Sequence, residues 1–125
     1  MDKRILIIDD DEAVRKSFVL ALEETPHRVD TAESGEKGIE KIEMATYDLV
    51  FLDLRMPGLN GIQTLRQLRQ RDTSVPVYIV TAFHKEFLKD LKLLSDDGIE
   101  FDLLRKPIGS DEIVQLTESM LRRER

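Results

Sequence analysis

A chain of 125 residues suits one domain, 1–125, large enough for a real core and too small for a second of comparable size. Its composition, 41% hydrophobic and 35% charged with only four Pro and six Gly, belongs to a folded globular chain, and a formal charge of −6 gives no general attraction to nucleic acid or an anionic membrane. The absence of Cys excludes disulfides, thiolate chemistry and Cys-ligated zinc.

Met1 to Arg4 lead into the apolar run Ile5 to Ile8, a strand too short for a signal peptide or a membrane span, so the cytoplasm is the expected location. Val14, Phe18 and Leu22 follow at helical spacing. Arg28 to Thr31 is a weaker strand, and Ser34-Gly35 opens a second helix with Ile39 and Ile42 on one face. Leu49 to Leu52 is the third strand, followed by a helix carrying Ile62, Leu65 and Leu68. Val77 to Val80 is the fourth strand, and Phe87, Leu88, Leu91 and Leu94 mark a fourth helical stripe. Ser95-Asp96-Asp97-Gly98-Ile99 reads as a lengthened loop before the strand Phe101 to Leu104. Ile113, Leu116, Met120 and Leu121 form the last stripe.

Continuous apolar runs suit strands covered on both faces, and strands alternating with helices specify right-handed crossovers. The expected fold is therefore α/β, a (βα)5 three-layer sandwich around a parallel sheet. Its order does not follow from periodicity; the flavodoxin-like order 2-1-3-4-5 is the common solution at this size, and it sets strands one and three side by side.

In an open α/β sheet, ligands bind beyond the carboxyl ends of the strands. The polar residues there are Asp9, Asp10 and Asp11, then Asp53, Thr81 and Lys106. Singly, each has an ordinary reading: Asp11 can N-cap the first helix, and Thr81 can begin the fourth. Together, Asp9, Asp10 and Asp53 form a carboxylate cluster that must hold protons at raised pKa or bind a hard cation. Mg²⁺, which keeps several waters and is held by a few carboxylates, fits better than Ca²⁺, for which no EF-hand loop is present. Thr81 and Lys106 add a hydroxyl and a positive charge, which make sense if a phosphoryl group on one carboxylate must be stabilised. Asp53 holds the central position for such covalent chemistry.

At this point the sequence resembles the response-regulator receivers of two-component phosphorelays. Ile5 to Arg15 is similar to their acidic first motif, Asp48 to Gly58 with Asn60-Gly61 to their phosphoacceptor motif, and Val80 to Ala82 and Arg105 to Pro107 to their third and fourth. The resemblance implies that Asp53 accepts a phosphoryl group from a histidine kinase or a histidine phosphotransfer protein. It implies Mg²⁺, with Mn²⁺ as a substitute, ligated by Asp10, Asp53 and the backbone carbonyl of Arg55, with Asp9 acting through water. Thr81, Ala82 and Lys106 would surround the phosphoryl group. Thr81 would be the switch residue, Leu103 occupies the place of the switch aromatic, and Lys106-Pro107 would be a cis peptide. The domain would catalyse only its own phosphorylation and dephosphorylation. Val14, Phe18, Pro107 and Ile108 would meet the phosphodonor. The surface of the fourth helix, fifth strand and fifth helix would carry the signal to an output domain, a separate effector or a second copy.

Two further positions, Arg55 and Phe83, flank the route of attacking water in that family, which suggests a long-lived phosphoryl state. His27 and His84 read as surface or edge residues, with His84 close enough to Thr81 to touch the site. Arg66, Arg69 and Arg71 read as a solvated helix face. Arg122, Arg123 and Arg125 suit a helix C-terminus or the start of a linker to an output domain. A flavin or nucleotide binder would want Ser, Thr and Gly after the first strand rather than three Asp. An aspartate-nucleophile phosphatase would place its nucleophile in a D-x-D arrangement on that strand. A receiver-like module that works only by docking is a third reading, toward which Leu103 points.

Overall fold

The computed structural model describes residues 2–82 and 85–122. Among them, strands β1 (Arg4–Ile8), β2 (Arg28–Ala32), β3 (Leu49–Asp53), β4 (Val77–Thr81) and β5 (Asp102–Arg105) alternate with helices α1 (Glu12–Ala21), α2 (Gly35–Met44), α3 (Gly61–Arg71), α4 (Leu88–Asp96) and α5 (Ser110–Leu121). All strand pairs are parallel and the order is β2-β1-β3-β4-β5, the flavodoxin-like arrangement expected. None of the described helices is long and apolar enough to cross a membrane.

Two apolar layers explain the unbroken apolar runs. Ile5 and Ile7 face one layer, where Phe51 and Tyr78 meet Phe18 and Leu22 from the α1 side and Ile113 and Met120 of α5. Leu6 and Ile8 face the other, with Leu52, Ile79, Ile39 of α2, Leu65 of α3 and Leu91 of α4. Each fully buried Leu or Ile contributes about 1.5–3 kcal/mol, so the sheet centre is a rigid base for whatever its strand ends carry.

Side-chain caps set the helix starts. Asp11 accepts from the Ala13 N–H and Ser34 from the Lys37 N–H, while Asn60 and Gln63 form a reciprocal capping box at α3.

Four expectations are corrected. Ser95 and Asp96 belong to α4 rather than to a long loop. That helix ends where Gly98 takes φ +77°, and Gly98 N–H and Ile99 N–H donate to the Ser95 and Leu94 carbonyls. Ile99 then packs on the same core cluster as Leu94, so a glycine-terminated helix end accounts for the extra residues. Leu88 is 52% exposed and off the buried stripe, because Phe87, Leu91 and Leu94, spaced i, i+4 and i+7, form the face that packs on the core and Leu88 lies to one side of it.

His27 stands beside the edge strand, but its side chain is only 6% exposed. Its Nδ1 accepts from the Lys3 N–H and its Nε2 lies 2.8 Å from Glu118 Oε1, tying β2 to α5. Nor are the α3 arginines simply solvated. Arg69 donates to the Val75 and Glu100 carbonyls at 2.6 and 2.7 Å, and Arg66 pairs with Asp97 at 2.7 Å, so α3 holds the chain on either side of β4 and α4. His84 and Phe83 lie outside the described residues, as do Arg123 and Arg125.

Candidate functional site

Strand register builds the site. Ile8 of β1 pairs with Leu52 of β3, so Asp9, one step past β1, lies level with Asp53, the last residue of β3. Oxygen atoms of Asp9, Asp10 and Asp53 all lie within 4.8 Å of one another. Asp9 and Asp53 are 3% and 6% exposed, whereas Asp10 is open to solvent.

From beyond β5, Lys106 Nζ reaches Asp9 Oδ2 at 3.0 Å and Asp53 Oδ1 at 3.1 Å. The Lys106 N–H donates to the Thr81 carbonyl at 2.8 Å, fastening this chain segment to the end of β4. Thr81 closes β4 rather than beginning a helix, and is 5% exposed. Asp53 is in register with Val80, so Thr81 stands one residue past the acid on the neighbouring strand. Ala82 follows, exposed, and the Lys106-Pro107 peptide is cis.

Three carboxylates against one ammonium leave the cluster short of positive charge. Burial pushes the Asp53 carboxyl up to about 6, and the Asp9 charge adds to the shift against the opposing pull of Lys106. For Lys106, burial works against the ammonium, but the hydrogen bond to Asp9 and the Asp53 charge outweigh it and raise its pKa. The cation is therefore held charged, while the carboxylates share too little of it.

Local backbone design fixes these groups. A Cβ on Gly61 would lie 2.5 Å from the Asp53 carbonyl oxygen and 2.7 Å from the Leu54 Cα, so only glycine lets α3 start this close behind the acid. Asp9 is held by its carboxylate as well as its backbone: Oδ1 accepts from the Asp11 N–H at 2.9 Å and Oδ2 from Lys106. Among the described residues, Asp53 Oδ2 accepts no hydrogen bond.

The sequence reading missed two partners here. Arg15 NH1 donates to the Asp9 carbonyl at 2.7 Å, and Arg55 pairs with Glu86 of the turn after β4 at 3.5 Å. Arg15 was legible in principle, because helical side chains point back toward the helix N-terminus and a first-turn arginine there overhangs the strand end. Glu86 had no such signal. Leu103, on the sheet face shared with Ile79, is 50% exposed and stands away from the carboxylates at the sheet edge.

The sequence profile of the response regulator receiver domain matches residues 5–118. The chain is 36% identical over 123 residues to the alkaline phosphatase synthesis transcriptional regulatory protein PhoP of Bacillus subtilis, covering 98% of this chain and 50% of that protein. It is also 36% identical over 121 residues to the response regulator ArlR of Staphylococcus saprophyticus, covering 97% and 53%. The chain thus spans about half the length of the curated relatives it matches. Among solved structures, a CheY-like receiver domain protein from Methanospirillum hungatei superposes with a TM-score of 0.86 at 25% identity, over 97% of this chain and 94% of that one. The response regulator TrrA of Thermotoga maritima, solved in complex with Mg(2+)-BeF, gives 0.78 at 30% identity, over 94% and 98%.

An acidic pocket at the carboxyl end of a 2-1-3-4-5 parallel sheet, with a lysine from the last strand end, defines a phosphoacceptor switch. The chain belongs to the response regulator receiver domain family of two-component signalling.

Proposed function

We propose that Asp53 is the phosphoacceptor of this receiver and that the domain catalyses its own phosphorylation and dephosphorylation. One observation carries the reading. Asp53 is buried between two further carboxylates and the Lys106 ammonium, with one oxygen bonded to Lys106 and the other unbonded among the described residues.

The unbonded oxygen attacks the phosphorus of a donor phosphohistidine. The P–N bond breaks, and the imidazole leaves with the electron pair. Lys106 and the Thr81 hydroxyl receive phosphoryl oxygens, supplying fixed positive charge and a donor where negative charge spreads.

All-oxygen donors in a charge-deficient cluster fit Mg²⁺ or its substitute Mn²⁺. Asp10, Asp53 and the Arg55 carbonyl would hold the ion, and Asp9 would act through water; both Asp9 oxygens already accept protein hydrogen bonds, which supports that indirect role. Bound there, such an ion would supply positive charge against the mutual repulsion of nucleophile and phosphoryl group.

The donor would dock beside α1. Val14 and Phe18 line a shallow cleft of about 190 Å³ together with Pro107 and Ile108 of the segment that carries Lys106. Movement of Thr81 toward the phosphoryl group would draw on its two attachments, the turn leading to α4 and the Lys106 backbone, and so reach the α4-β5-α5 surface. Exposed Leu88, Leu93 and Leu103 lie on α4 and β5, where a second copy, an output domain or a separate effector would respond.

Incubation with acetyl phosphate and Mg²⁺ followed by intact mass tests the assignment. A single phosphate adduct is expected in the native protein and none in Asp53→Asn; an adduct of undiminished yield in the mutant removes Asp53 from the role.

A further inference from the structure

Asp10 is the one member of the acidic cluster whose side chain no described residue holds. It is exposed, and among the described residues its carboxylate takes part in no hydrogen bond or ion pair. Its position is therefore set by its backbone. The peptide that joins Asp9 to Asp10 is planar, so the direction of the Asp9 carbonyl determines where the Asp10 nitrogen and Cα stand. Lying past the last β1–β3 pair, that carbonyl is bound instead by Arg15, whose NH1 donates to it at 2.7 Å from the first turn of α1.

The other contacts on Asp9 do different work. Its N–H donates to the Ala32 carbonyl at 3.1 Å, and its carboxylate is shared between the Asp11 N–H and Lys106. These fix Asp9 itself. Among the described residues, only the Arg15 bond acts on the peptide plane leading to Asp10.

We infer that Arg15 is a positioning residue for the divalent-cation site: by orienting the Asp9–Asp10 peptide it presents the otherwise untethered Asp10 carboxylate to the ion. The inference rests on the proposal that this cluster binds Mg²⁺. Arg15 touches neither the ion nor the phosphoryl group.

Charge makes the test decisive, because the two roles open to Arg15 predict opposite signs. Removing a positive charge beside three carboxylates would by itself tighten cation binding. Removing the tether would weaken it. Arg15→Met keeps the apolar stem and loses both charge and donor. Its Mg²⁺ affinity, measured by calorimetric titration, is expected to fall about tenfold, the low end of what losing an outer partner costs a metal site. Arg15→Lys, which still places a donor over the carbonyl, is expected to recover most of that loss. Acetyl phosphate labelling of Arg15→Met should return toward the native rate at saturating Mg²⁺, which a general distortion of the pocket would not allow.

Native protein titrated in parallel separates the two ideas. No Mg²⁺ binding by the native chain would remove the cation site itself; native binding with Arg15→Met within about twofold of it, or tighter, would overturn the role of Arg15 alone. Arg15→Gln, equally uncharged, gives the same reading should Arg15→Met not fold.

Discussion

Two charged clusters stand on this sheet, and one carboxyl in each, Asp30 in the first and Asp53 in the second, is shifted in opposite directions. Near the amino ends of the strands, Asp30 accepts from the Tyr47 hydroxyl at 2.7 Å and from Arg4 at 3.2 Å, with Arg28 at 3.4 Å. Burial alone would raise the Asp30 carboxyl, but those hydrogen bonds and the two arginines outweigh it and hold it below the usual range. Burial, reinforced by the same contact, pushes the Tyr47 hydroxyl up to about 12, so it stays a donor. At the carboxyl ends, Asp53 has Lys106 but also Asp9 and Asp10, and is pushed up to about 6. The first cluster is matched, and its charges serve the fold. The second is unmatched, which is the condition under which a cation or a reaction can relieve it.

Removing Lys106 breaks the comparison most sharply. Lys106→Met should slow phosphoryl uptake from acetyl phosphate at saturating Mg²⁺ by about 10²- to 10³-fold, the usual cost of losing one preorganised partner of developing charge. Time courses by intact mass check this, and a rate within about tenfold of native would place Lys106 outside the reacting group.

The matched cluster should fail in the other currency. Asp30→Ala removes the carboxylate that accepts from the buried Tyr47 hydroxyl and from Arg4 and should lower stability by about 2 kcal/mol in urea unfolding, with the exposed Arg28 adding little. Because the folded-state Asp30 pKa lies below the unfolded value, its contribution is present above that unfolded value and disappears as pH falls through the folded one. Mg²⁺-dependent labelling of Asp30→Ala should stay within about twofold of native, as a structural role requires.

How much of this was legible before the structure depends on the range of the interaction. Apolar runs such as Ile5 to Ile8 and Leu49 to Leu52 report burial on both faces through local pattern alone, and strand ends then point to Asp9, Asp53, Thr81 and Lys106. Those positions assembled as expected because register follows from the fold. Contacts between distant residues carry no local signal. Nothing in the sequence joins His27 to Glu118, 91 residues away, or Arg69 to the Glu100 carbonyl. Nor does composition separate a solvated loop from a helix end: Ser95 to Asp97 is polar in both cases, and the decisive feature is the positive φ of Gly98.

Asp53 also offers a test of charge imbalance that needs no phosphoryl chemistry. Its folded-state pKa, about 6 against an ordinary 3.8, means that the folded protein binds the extra proton between those values. The protonated acid therefore favours folding, and this contribution is complete below the unfolded pKa and lost as pH rises through about 6. In a metal chelator at pH 7.5, Asp53→Asn should be more stable than native by about 1 kcal/mol, since the amide removes the repulsion with Asp9 and Asp10. That advantage should shrink as pH falls through about 6 and vanish below the unfolded value of 3.8. Added Mg²⁺ should reverse it by stabilising only the native protein. A pH-independent difference would mean that Asp53 is not the strained acid of the cluster.

The smallest expected effect concerns Arg55 and Glu86, which join the segment after Asp53 to the turn after Thr81. The pair is open, with side chains 65% and 57% exposed and a separation of 3.5 Å, so its contribution is at most a fraction of 1 kcal/mol. If water must pass between these segments to reach a phosphorylated Asp53, opening the pair adds that much to the barrier. Arg55→Asn, which leaves the backbone carbonyl in place, should then shorten the half-life of the phosphate adduct by about two- to fivefold. Screening gives an internal control: raising salt should speed loss of phosphate from the native protein and leave Arg55→Asn almost unaffected, because exposed ion pairs weaken as the Debye length shortens. Equal salt dependence in both proteins would show that the long cation shields the acyl phosphate by its bulk, or not at all, rather than by its bond to Glu86.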